Sequence, residues 1–414
     1  MTNTMAASHA VNRKLSDAIF EANAACKEAV KEFGAEKVTN ATIGTVLDDA
    51  GKLSVLPTVE KVWREMEMIN FTSYAPISGT ADYREAVQDL IFSHSFHVGF
   101  SSSVATSGGT GAIHHAIANY AERGDSVLTS DWCWGTYKVI CAETGKNLET
   151  FKLFNDDLTG FNIQAFADKV EELLKIQKSL LIILNTPAHN PTGYALSGEE
   201  WDKVVEIIKT HAAKGKKITL LVDVAYIDFA GEKKDTWFFM NKFEKLPANV
   251  LILVAYSMSK SYTLYGQRTG ALAAFSTDKD VIQEFEETNK WSCRATWSNI
   301  NCGAQNLLVE LYKNKNLRTE LESDQAKLRD FVKSRAEIFV GEAKTCGLKI
   351  VPYKGGFFIA VPAENPKAVC EKLHDDLIFA VPLKLGVRVA VCSMPSEKIH
   401  GVAEKIKTAI DLLN

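Results

Sequence analysis

The sequence has no excess of either charge, no long apolar run and no closely spaced cysteine pair. Its 47 basic and 51 acidic residues leave a net charge of −4, which does not suit a protein whose main task is to bind nucleic-acid phosphates. Its apolar runs, such as 180–184 and 250–256, are far shorter than the roughly 18 residues of a membrane-spanning helix. These absences argue against a nucleic-acid-binding protein and against a helical membrane protein.

The eight cysteines are scattered, and none shows the C-x-x-C spacing of zinc or redox sites. We therefore interpret them as reduced and mostly buried thiols. The nine histidines show no metal-ligand spacing, so we expect no metal site. Residues 1–10 contain no apolar run behind a positive start, so we expect no secretory signal and a cytoplasmic protein.

The length of 414 residues favours two domains over one compact core. Between residues 100 and 275, short apolar runs alternate with helical patterns, which is typical of a parallel sheet covered by helices. The predicted strands are 126–129, 180–184, 218–222, 251–256 and 270–275, and helices such as 111–121 and 199–213 lie between them.

The pattern changes after about residue 310. A long helical pattern over 317–343 is followed by apolar segments at 348–351 and 357–361 and by a helix that ends near Asp376. The first fifty residues contain one amphipathic helix, at about 13–33. We expect a large domain over 50–312, and a smaller α+β domain formed by 1–49 together with 313–414.

Polar residues follow the predicted strands, at the sheet edge where α/β proteins bind ligands. They include Asn-Thr-Pro-Ala-His-Asn-Pro-Thr-Gly (185–193), Asp223 with Ala225 and Tyr226, Ser-Met-Ser-Lys (257–260), Gly-Gln-Arg (266–268), and Ser-Gly-Gly-Thr-Gly-Ala (107–112) at the start of a helix.

The glycine-rich turn at 107–112 predicts an anion site at a helix N-terminus. It lacks the Gly-Lys-Ser/Thr ending of a P-loop, and His114 breaks the dinucleotide spacing, which leaves a single phosphate. Taken alone, Asp223 is no more consistent with a functional role than with a helix cap. Lys260 is likewise equally consistent with a solvated loop lysine. Together, a lysine for a Schiff base, an aspartate for a pyridinium nitrogen and a phosphate cup are what pyridoxal phosphate requires.

Four motifs occur in order along the chain: Asn-Pro-Thr-Gly, Asp-x-Ala-Tyr, Ser-x-Ser-Lys and Gly-x-Arg-x-Gly. The sequence thereby resembles the fold type I pyridoxal-phosphate aminotransferases of class I, and specifically their aspartate/aromatic branch. The resemblance runs from 39–44 to the last helix. It implies an α/β fold with a large, mostly parallel seven-stranded sheet sandwiched by helices, plus a smaller α+β domain.

The resemblance also implies roles for the cofactor residues. Lys260 would hold the cofactor through a Schiff base and then move the proton between substrate Cα and cofactor C4′. Asp223 would pair with the pyridinium nitrogen, while Asn190 and Tyr226 would donate to the phenolic oxygen. The other cofactor contacts would be Gly108, Gly109, Thr110, Ser257 and Arg268 around the phosphate and Trp134 stacked on the ring.

Other implied residues reach the substrate or cross a dimer interface. Tyr74 and Ser298 would contact the phosphate of the partner subunit, so the resemblance implies a homodimer with shared sites. Arg388 would bind the substrate α-carboxylate, and Arg294 would reach a side-chain carboxylate across the interface. The substrate side would comprise Gly44, Trp134, Asn190, Arg294 and Arg388.

The sequence departs from the family pattern at two places. Ile300 and Asn301 stand where the family commonly has two prolines, which predicts another path for the backbone near Arg294. Tyr137 stands where the family often has a histidine bonded to the aspartate that corresponds to Asp223. The preferred amino donor, aspartate or aromatic, stays open.

The implied activity is ping-pong transamination between an L-amino acid and 2-oxoglutarate. A pyridoxal-phosphate lyase acting at Cβ would use the same cofactor residues, although it needs no distal carboxylate partner such as Arg294. A cofactor-binding regulator would normally carry a basic DNA-binding module, which we do not expect here.

Overall fold

The structure is a computed structural model that describes residues 5–11, 13, 17–92 and 99–413. The strands are β1 (Thr39–Asn40), β2 (Phe100–Ser107), β3 (Ser126–Ser130), β4 (Asn147–Phe151), β5 (Ser179–Asn185), β6 (Lys217–Asp223), β7 (Val250–Ser257), β8 (Thr269–Ser276), β9 (Phe358–Pro362), β10 (Ile378–Phe379), β11 (Val381–Leu383) and β12 (Gly386–Ala390).

The α-helices are connected by turns and short 3₁₀ segments. They are α1 (Ala18–Phe33), α2 (Pro57–Glu65), α3 (Ile69–Thr72), α4 (Ala81–Phe92), α5 (Gly108–Tyr120), α6 (Thr136–Glu143), α7 (Ile163–Ile176), α8 (Gly198–Ala213), α9 (Lys233–Thr236), α10 (Met258–Ser261), α11 (Lys279–Thr296), α12 (Cys302–Lys313), α13 (Lys315–Cys346), α14 (Pro366–Leu373) and α15 (Val402–Leu413).

A seven-stranded sheet forms the centre of the molecule, in the order β2-β8-β7-β6-β5-β3-β4. Only β8 runs antiparallel to its neighbours in this sheet. The predicted fold class, α/β with a mostly parallel seven-stranded sheet, is therefore confirmed. The register sets Asn185 beside Asp223, and Asp223 beside Ala255. The carboxyl ends of β5, β6 and β7 therefore lie at the same edge of the sheet.

The central strands are continuous apolar runs because both faces of the sheet are covered. Along β5, Leu180, Ile182 and Leu184 belong to one buried cluster, whereas Leu181 and Ile183 belong to another. This alternation follows from the two-residue period of a strand. Helices pack on each face, and burial of both faces supplies the main apolar stabilisation.

A smaller antiparallel sheet, in the order β11-β12-β9, is built by the C-terminal part of the chain. The short strand β1 pairs in parallel with β10 and so joins the N-terminal part to this region. Helix α13 bridges the two sheets, because Leu321 packs into the core of the large sheet and Phe339 into the C-terminal core.

One local expectation needs correction, and one apolar segment forms no regular element. Helix α1 begins at Ala18, later than the apolar pattern indicated, because the Asp17 carboxylate accepts hydrogen bonds from the backbone N–H groups of Ile19 and Phe20. Residues 348–351 form no strand, although the Val351 N–H donates to the Ala360 carbonyl. The cysteines are free thiols, six of them buried, as predicted. No helix of the described ranges is both long and apolar enough to cross a membrane.

Candidate active site

Lys260 lies on the short helix α10, directly after strand β7. Its amine donates to the Gly44 carbonyl at 3.2 Å and lies 4.8 Å from the ring centroid of Tyr265 and 5.6 Å from that of Tyr226. Burial lowers the pKa of Lys260 to about 8, although part of the side chain still reaches solvent. The amine is therefore partly neutral near physiological pH and can act as a nucleophile or a base.

Asp223 ends strand β6 and is buried. Its Oδ2 accepts a hydrogen bond from the Tyr137 hydroxyl at 2.7 Å, and its Oδ1 accepts one from the Ala225 N–H at 3.1 Å. Burial raises the pKa of Asp223, whereas these two hydrogen bonds and Lys260 favour the ionised form. A buried carboxylate of this kind is suited to a cationic partner.

Tyr137 therefore contacts the aspartate at the position where the sequence departs from the family pattern. The side chain is fully buried on α6, and its ring packs edge-on against Trp134 at 5.6 Å. Burial, followed by the nearby Asp223 carboxylate, raises the pKa of Tyr137 well above its ordinary value. Unlike a histidine, this phenol stays neutral across the physiological range and acts only as a hydrogen-bond donor to the carboxylate.

The glycine-rich turn and the lysine segment meet beside Arg268. Gly108 and Gly109 begin α5, where the first backbone N–H groups have no partner in the helix. Gly108 has a φ of 63°, and a Cβ there would lie 2.7 Å from Arg268 Nη2. Arg268 Nη1 donates to Ser259 Oγ at 3.0 Å. Helix N–H groups, hydroxyls and a guanidinium thus converge, as a phosphate requires.

Arg388 is buried on strand β12. Its Nη2 donates to the Thr42 carbonyl at 2.6 Å, its Nη1 lies 3.4 Å from Asn190 Oδ1, and its Cζ lies 4.3 Å from the ring centroid of Phe358. Within the described residues, Nε is buried without a hydrogen-bond partner. Burial lowers the pKa of Arg388 to about 10. A buried guanidinium with an unused donor fits an anionic ligand such as a carboxylate.

Gly44 lies between these two cations. Its carbonyl faces Lys260, and a Cβ on it would lie 2.8 Å from Phe358 Cζ, the ring that stacks on Arg388. Only glycine fits here without moving that ring. Tyr226 is buried beside the same ring, at 5.6 Å between centroids. The structure thus brings Lys260, Asp223, Tyr226, Asn190, Arg388, Gly44, Gly108, Gly109, Thr110, Ser257 and Arg268 to the region where the sheet, the glycine-rich turn and strand β12 meet.

Two predicted residues are exposed within the single chain, and a third, Ser298, is bonded to one of them. Tyr74 is 91% exposed. Arg294 is exposed on the last turn of α11, and its Nη1 donates to Ser298 Oγ. Such exposure is what residues that act across a subunit interface would show in one protomer.

The Ile300-Asn301 departure has a structural explanation. Ile300 is buried, and the Asn301 side chain accepts from the Ala304 N–H, which caps helix α12. Asn301 Nδ2 also donates to Gln267 Oε1 at 2.8 Å, beside Arg268. Capping and burial therefore fix this loop without the prolines.

Sequence reasoning missed Ser259, Tyr265 and Phe358. Ser259 lies inside the Ser-x-Ser-Lys motif, so its spacing could have identified it. Tyr265 and Phe358 touch the site through ring faces, and their types and spacing resemble those of ordinary core residues. No group of three possible metal ligands lies together in the part of the chain that the structure describes.

A groove of about 1,260 Å³ lies at the opposite edge of the sheet, where β5 and β6 begin at Ser179 and Lys217. None of the candidate residues lines it. The buried Lys146 amine in this groove donates to the Ala118 carbonyl near the end of α5, which is the role of a helix C-cap. This groove is therefore separate from the candidate active site.

The fold and the site together define a pyridoxal-phosphate-dependent enzyme of fold type I. The family model for aminotransferases of class I and II matches residues 36–406. The chain belongs to this family, and the predicted cofactor and enzyme class are confirmed.

Individual relatives agree with this assignment. A crystal structure of an aminotransferase from Anaerococcus prevotii is 40% identical, covers 99% of this chain and 100% of its own, and superimposes with a TM-score of 0.96. The mitochondrial aspartate aminotransferase of Schizosaccharomyces pombe is 27% identical over 320 residues, which is 74% of this chain and 69% of that protein. An aspartate aminotransferase of Pseudomonas aeruginosa is 25% identical over 75% of this chain and 77% of its own. The similarity thus lies with the aspartate/aromatic branch.

Cofactor-free protein should take up pyridoxal phosphate covalently at a rate that rises about tenfold per pH unit and levels off near pH 8. Imine formation requires a neutral amine, and burial lowers the pKa of Lys260, the predicted site of attachment, from 10.5 to about 8. Stopped-flow absorbance measures the rate, and a short lysine peptide under the same conditions corrects for titration of the cofactor itself. A corrected rate that keeps rising beyond pH 10 would contradict this assignment.

Proposed function

We propose that this enzyme transfers the amino group of an L-amino acid, aspartate or an aromatic one, to 2-oxoglutarate. The donor leaves as its 2-oxo acid, and 2-oxoglutarate leaves as glutamate, in a ping-pong order. The observation that carries the proposal is a partly neutral Lys260 amine with the buried side chains of Asp223 and Arg388 grouped around it.

Each side chain has a defined task in this proposal. When bound, pyridoxal phosphate supplies a carbon that bonds to amines and a ring that accepts electrons. Lys260 Nζ holds the cofactor at rest and then takes the proton from the substrate Cα, a step to which a positioned base contributes about 10²- to 10⁴-fold. The Asp223 carboxylate keeps a proton on the ring nitrogen, and the Tyr137 hydroxyl favours the charged form of that carboxylate.

The remaining residues bind and orient. The Arg388 guanidinium takes the substrate α-carboxylate, while the Thr42 carbonyl holds the arginine in place. The Tyr226 hydroxyl and the Asn190 amide would donate to the phenolic oxygen. The helix α5 N-terminus, Ser257 and Arg268 would hold the phosphate, and Trp134 would cover the ring.

We further propose a homodimer in which Tyr74, Arg294 and Ser298 serve the partner's site. The exposure of Tyr74 and Arg294 in one chain supports this arrangement. Apolar side chains close to Tyr74 in sequence are also exposed, Met68 by 72% and Ile69 by 62%.

The division into a large part, 50–312, and a small part, 1–49 with 313–414, is also proposed. It is supported by a separate buried cluster that joins Cys26 and Val38 to Phe379, and by the pairing of β1 with β10. Both contacts attach the N-terminal segment to the C-terminal part.

Replacing Arg294 with alanine should lower kcat/KM for aspartate by at least about 30-fold, because a buried guanidinium–carboxylate pair is worth about 2 kcal/mol or more. Phenylalanine makes no such pair, so its half-reaction should change much less. Single-turnover rates with both donors, each followed by 2-oxoglutarate, make the comparison. An equal loss for both donors would refute dicarboxylate recognition. Release of ammonia without 2-oxoglutarate would instead favour the Cβ lyase.

Mixing chains tests whether Arg294 acts across the interface. Lys260→Ala chains and Arg294→Ala chains are each expected to be weak with aspartate, but a heterodimer of the two combines one intact lysine with one intact Arg294 from the other chain. Aspartate turnover should therefore recover after subunit exchange. No recovery after exchange has been verified by native mass spectrometry would count against a shared site.

A further inference from the structure

Residues 42–47, which we call the substrate-side segment, enter the active site at one end. The Thr42 carbonyl accepts from Arg388 at 2.6 Å, and the Gly44 carbonyl accepts from Lys260 at 3.2 Å. The Val46 N–H donates to the Tyr265 hydroxyl at 3.1 Å. Backbone atoms of this segment thus touch both cations of the site, and their positions affect how a substrate fits.

The other end of the segment is held by Arg335, a fully buried residue of α13. Arg335 Nη1 donates to the Leu47 carbonyl at 2.7 Å and to the Cys392 carbonyl at 2.9 Å, and Nη2 donates to Asp49 Oδ1 at 2.8 Å. The guanidinium carbon lies 4.0 Å from the ring centroid of Phe331. One side chain therefore joins three separate stretches of chain.

The loop that Arg335 contacts comes after strand β12, which carries Arg388. Cys392 lies two residues after the end of β12, and its carbonyl also accepts from the Leu47 N–H at 3.1 Å. Asp49 Oδ1 further accepts from the N–H and the hydroxyl of Ser396, at 2.8 and 2.9 Å. The segment and the arginine that faces it are thereby fixed to one common anchor.

We infer that Arg335 and Asp49 are positioning residues that hold the substrate-side segment in register with Arg388 and so set the affinity for the amino-acid substrate. The inference rests on the proposed function, because it assumes that Arg388 binds the substrate carboxylate. Neither residue contacts Lys260 or the phosphate cup, so cofactor affinity is not expected to depend on them. A guanidinium is suited to this task because its planar fork presents several donors in fixed directions.

The test uses the cofactor-loaded enzyme and starts from Asp49→Asn. The Asp49 side chain is 56% exposed, so its replacement leaves the core intact. KM for the amino donor should rise about 3- to 30-fold, the range expected for weakening a charge-assisted hydrogen bond, with kcat changed by less than about twofold. Asp48→Asn is the matched control, since within the described residues Asp48 accepts only from the local Ala50 and Lys52 N–H groups.

Hydrogen exchange supplies a readout that needs no substrate. The Val46 and Leu47 amides should exchange faster in Asp49→Asn than in wild type or Asp48→Asn, while the amides of β7 stay unchanged. Arg335→Met should show a larger effect and Arg335→Lys an intermediate one. Arg329→Gln, on the same helix but bonded to the Gly231 carbonyl, should show none.

Unchanged exchange at Val46 and Leu47 in Asp49→Asn would overturn the inference, as would a fall in kcat with KM unchanged. If the Arg335 variants fail to fold, the comparison of Asp49→Asn with Asp48→Asn still tests the inference. Should wild type transfer no amino group from any donor, the proposed function fails by itself, whereas the exchange measurement continues to test the anchor.

Discussion

Lys260→Ala should lose at least about 10⁴-fold in transamination, the largest effect expected for any single substitution. Proton transfer by a positioned base alone is worth about 10²- to 10⁴-fold, and this variant also loses the amine that holds the cofactor. Turnover with 2-oxoglutarate measures the loss. Borohydride reduction of wild type followed by peptide mass spectrometry should find the cofactor on Lys260.

A surface lysine provides the control for this experiment. Lys242 pairs with Asp202 on the outside of the molecule, so Lys242→Ala should retain wild-type turnover. Cofactor trapped on another lysine, or substantial turnover in Lys260→Ala, would remove Lys260 from the mechanism.

Asp223→Asn should lower kcat/KM by about 10²- to 10⁴-fold. Removing one member of a buried charge pair typically costs about 3–5 kcal/mol, and the ring nitrogen then loses the partner that keeps it protonated. The amide has nearly the shape of the carboxylate, so folding is preserved. Single-turnover kinetics and the absorbance of the bound cofactor both report the change.

Tyr137→Phe provides a graded comparison at the same carboxylate. It removes one hydrogen bond to a charged group, worth about 1.5–3 kcal/mol, and should therefore cost about 10- to 150-fold. The loss should be smaller than that of Asp223→Asn, and the double variant should be little worse than Asp223→Asn alone because both act through one group. Wild-type rates in Asp223→Asn would refute the role of Asp223.

Much of the fold could be predicted because the central strands are apolar on both faces. The predicted strands are shorter than the observed ones because polar residues at both ends, such as Lys217 and Asp223, still pair in the ladder. Apolar residues indicate which part of a strand is buried, but the hydrogen-bonded pairing of the strand extends past its apolar residues. Residues 348–351 show the reverse case, in which the apolar Leu348 and Val351 are buried although the segment forms no strand.

The candidate site was predictable where a motif fixes residue type and spacing together. Ser-x-Ser-Lys and Asp-x-Ala-Tyr identified Lys260 and Asp223, which the structure brings near each other. Arg335 carried no such signal, because a helical arginine is most often solvated and its burial depends on carbonyls far away in sequence. The roles of Tyr74 and Arg294 depend on a second subunit and stay predictions.

The hydrogen bond from Arg388 to the Thr42 carbonyl joins residues 346 positions apart. A ribosome adds about 5–20 residues per second, so roughly 17–70 s separate the synthesis of the two partners. The last strand of the seven-stranded sheet ends at Ser276, and it leaves the ribosome long before Arg388 does. A nascent chain can therefore complete the seven-stranded sheet, which includes the segment before Lys260, while it still lacks Arg388, and on the proposed function substrate binding is acquired only after the sheet has been synthesised.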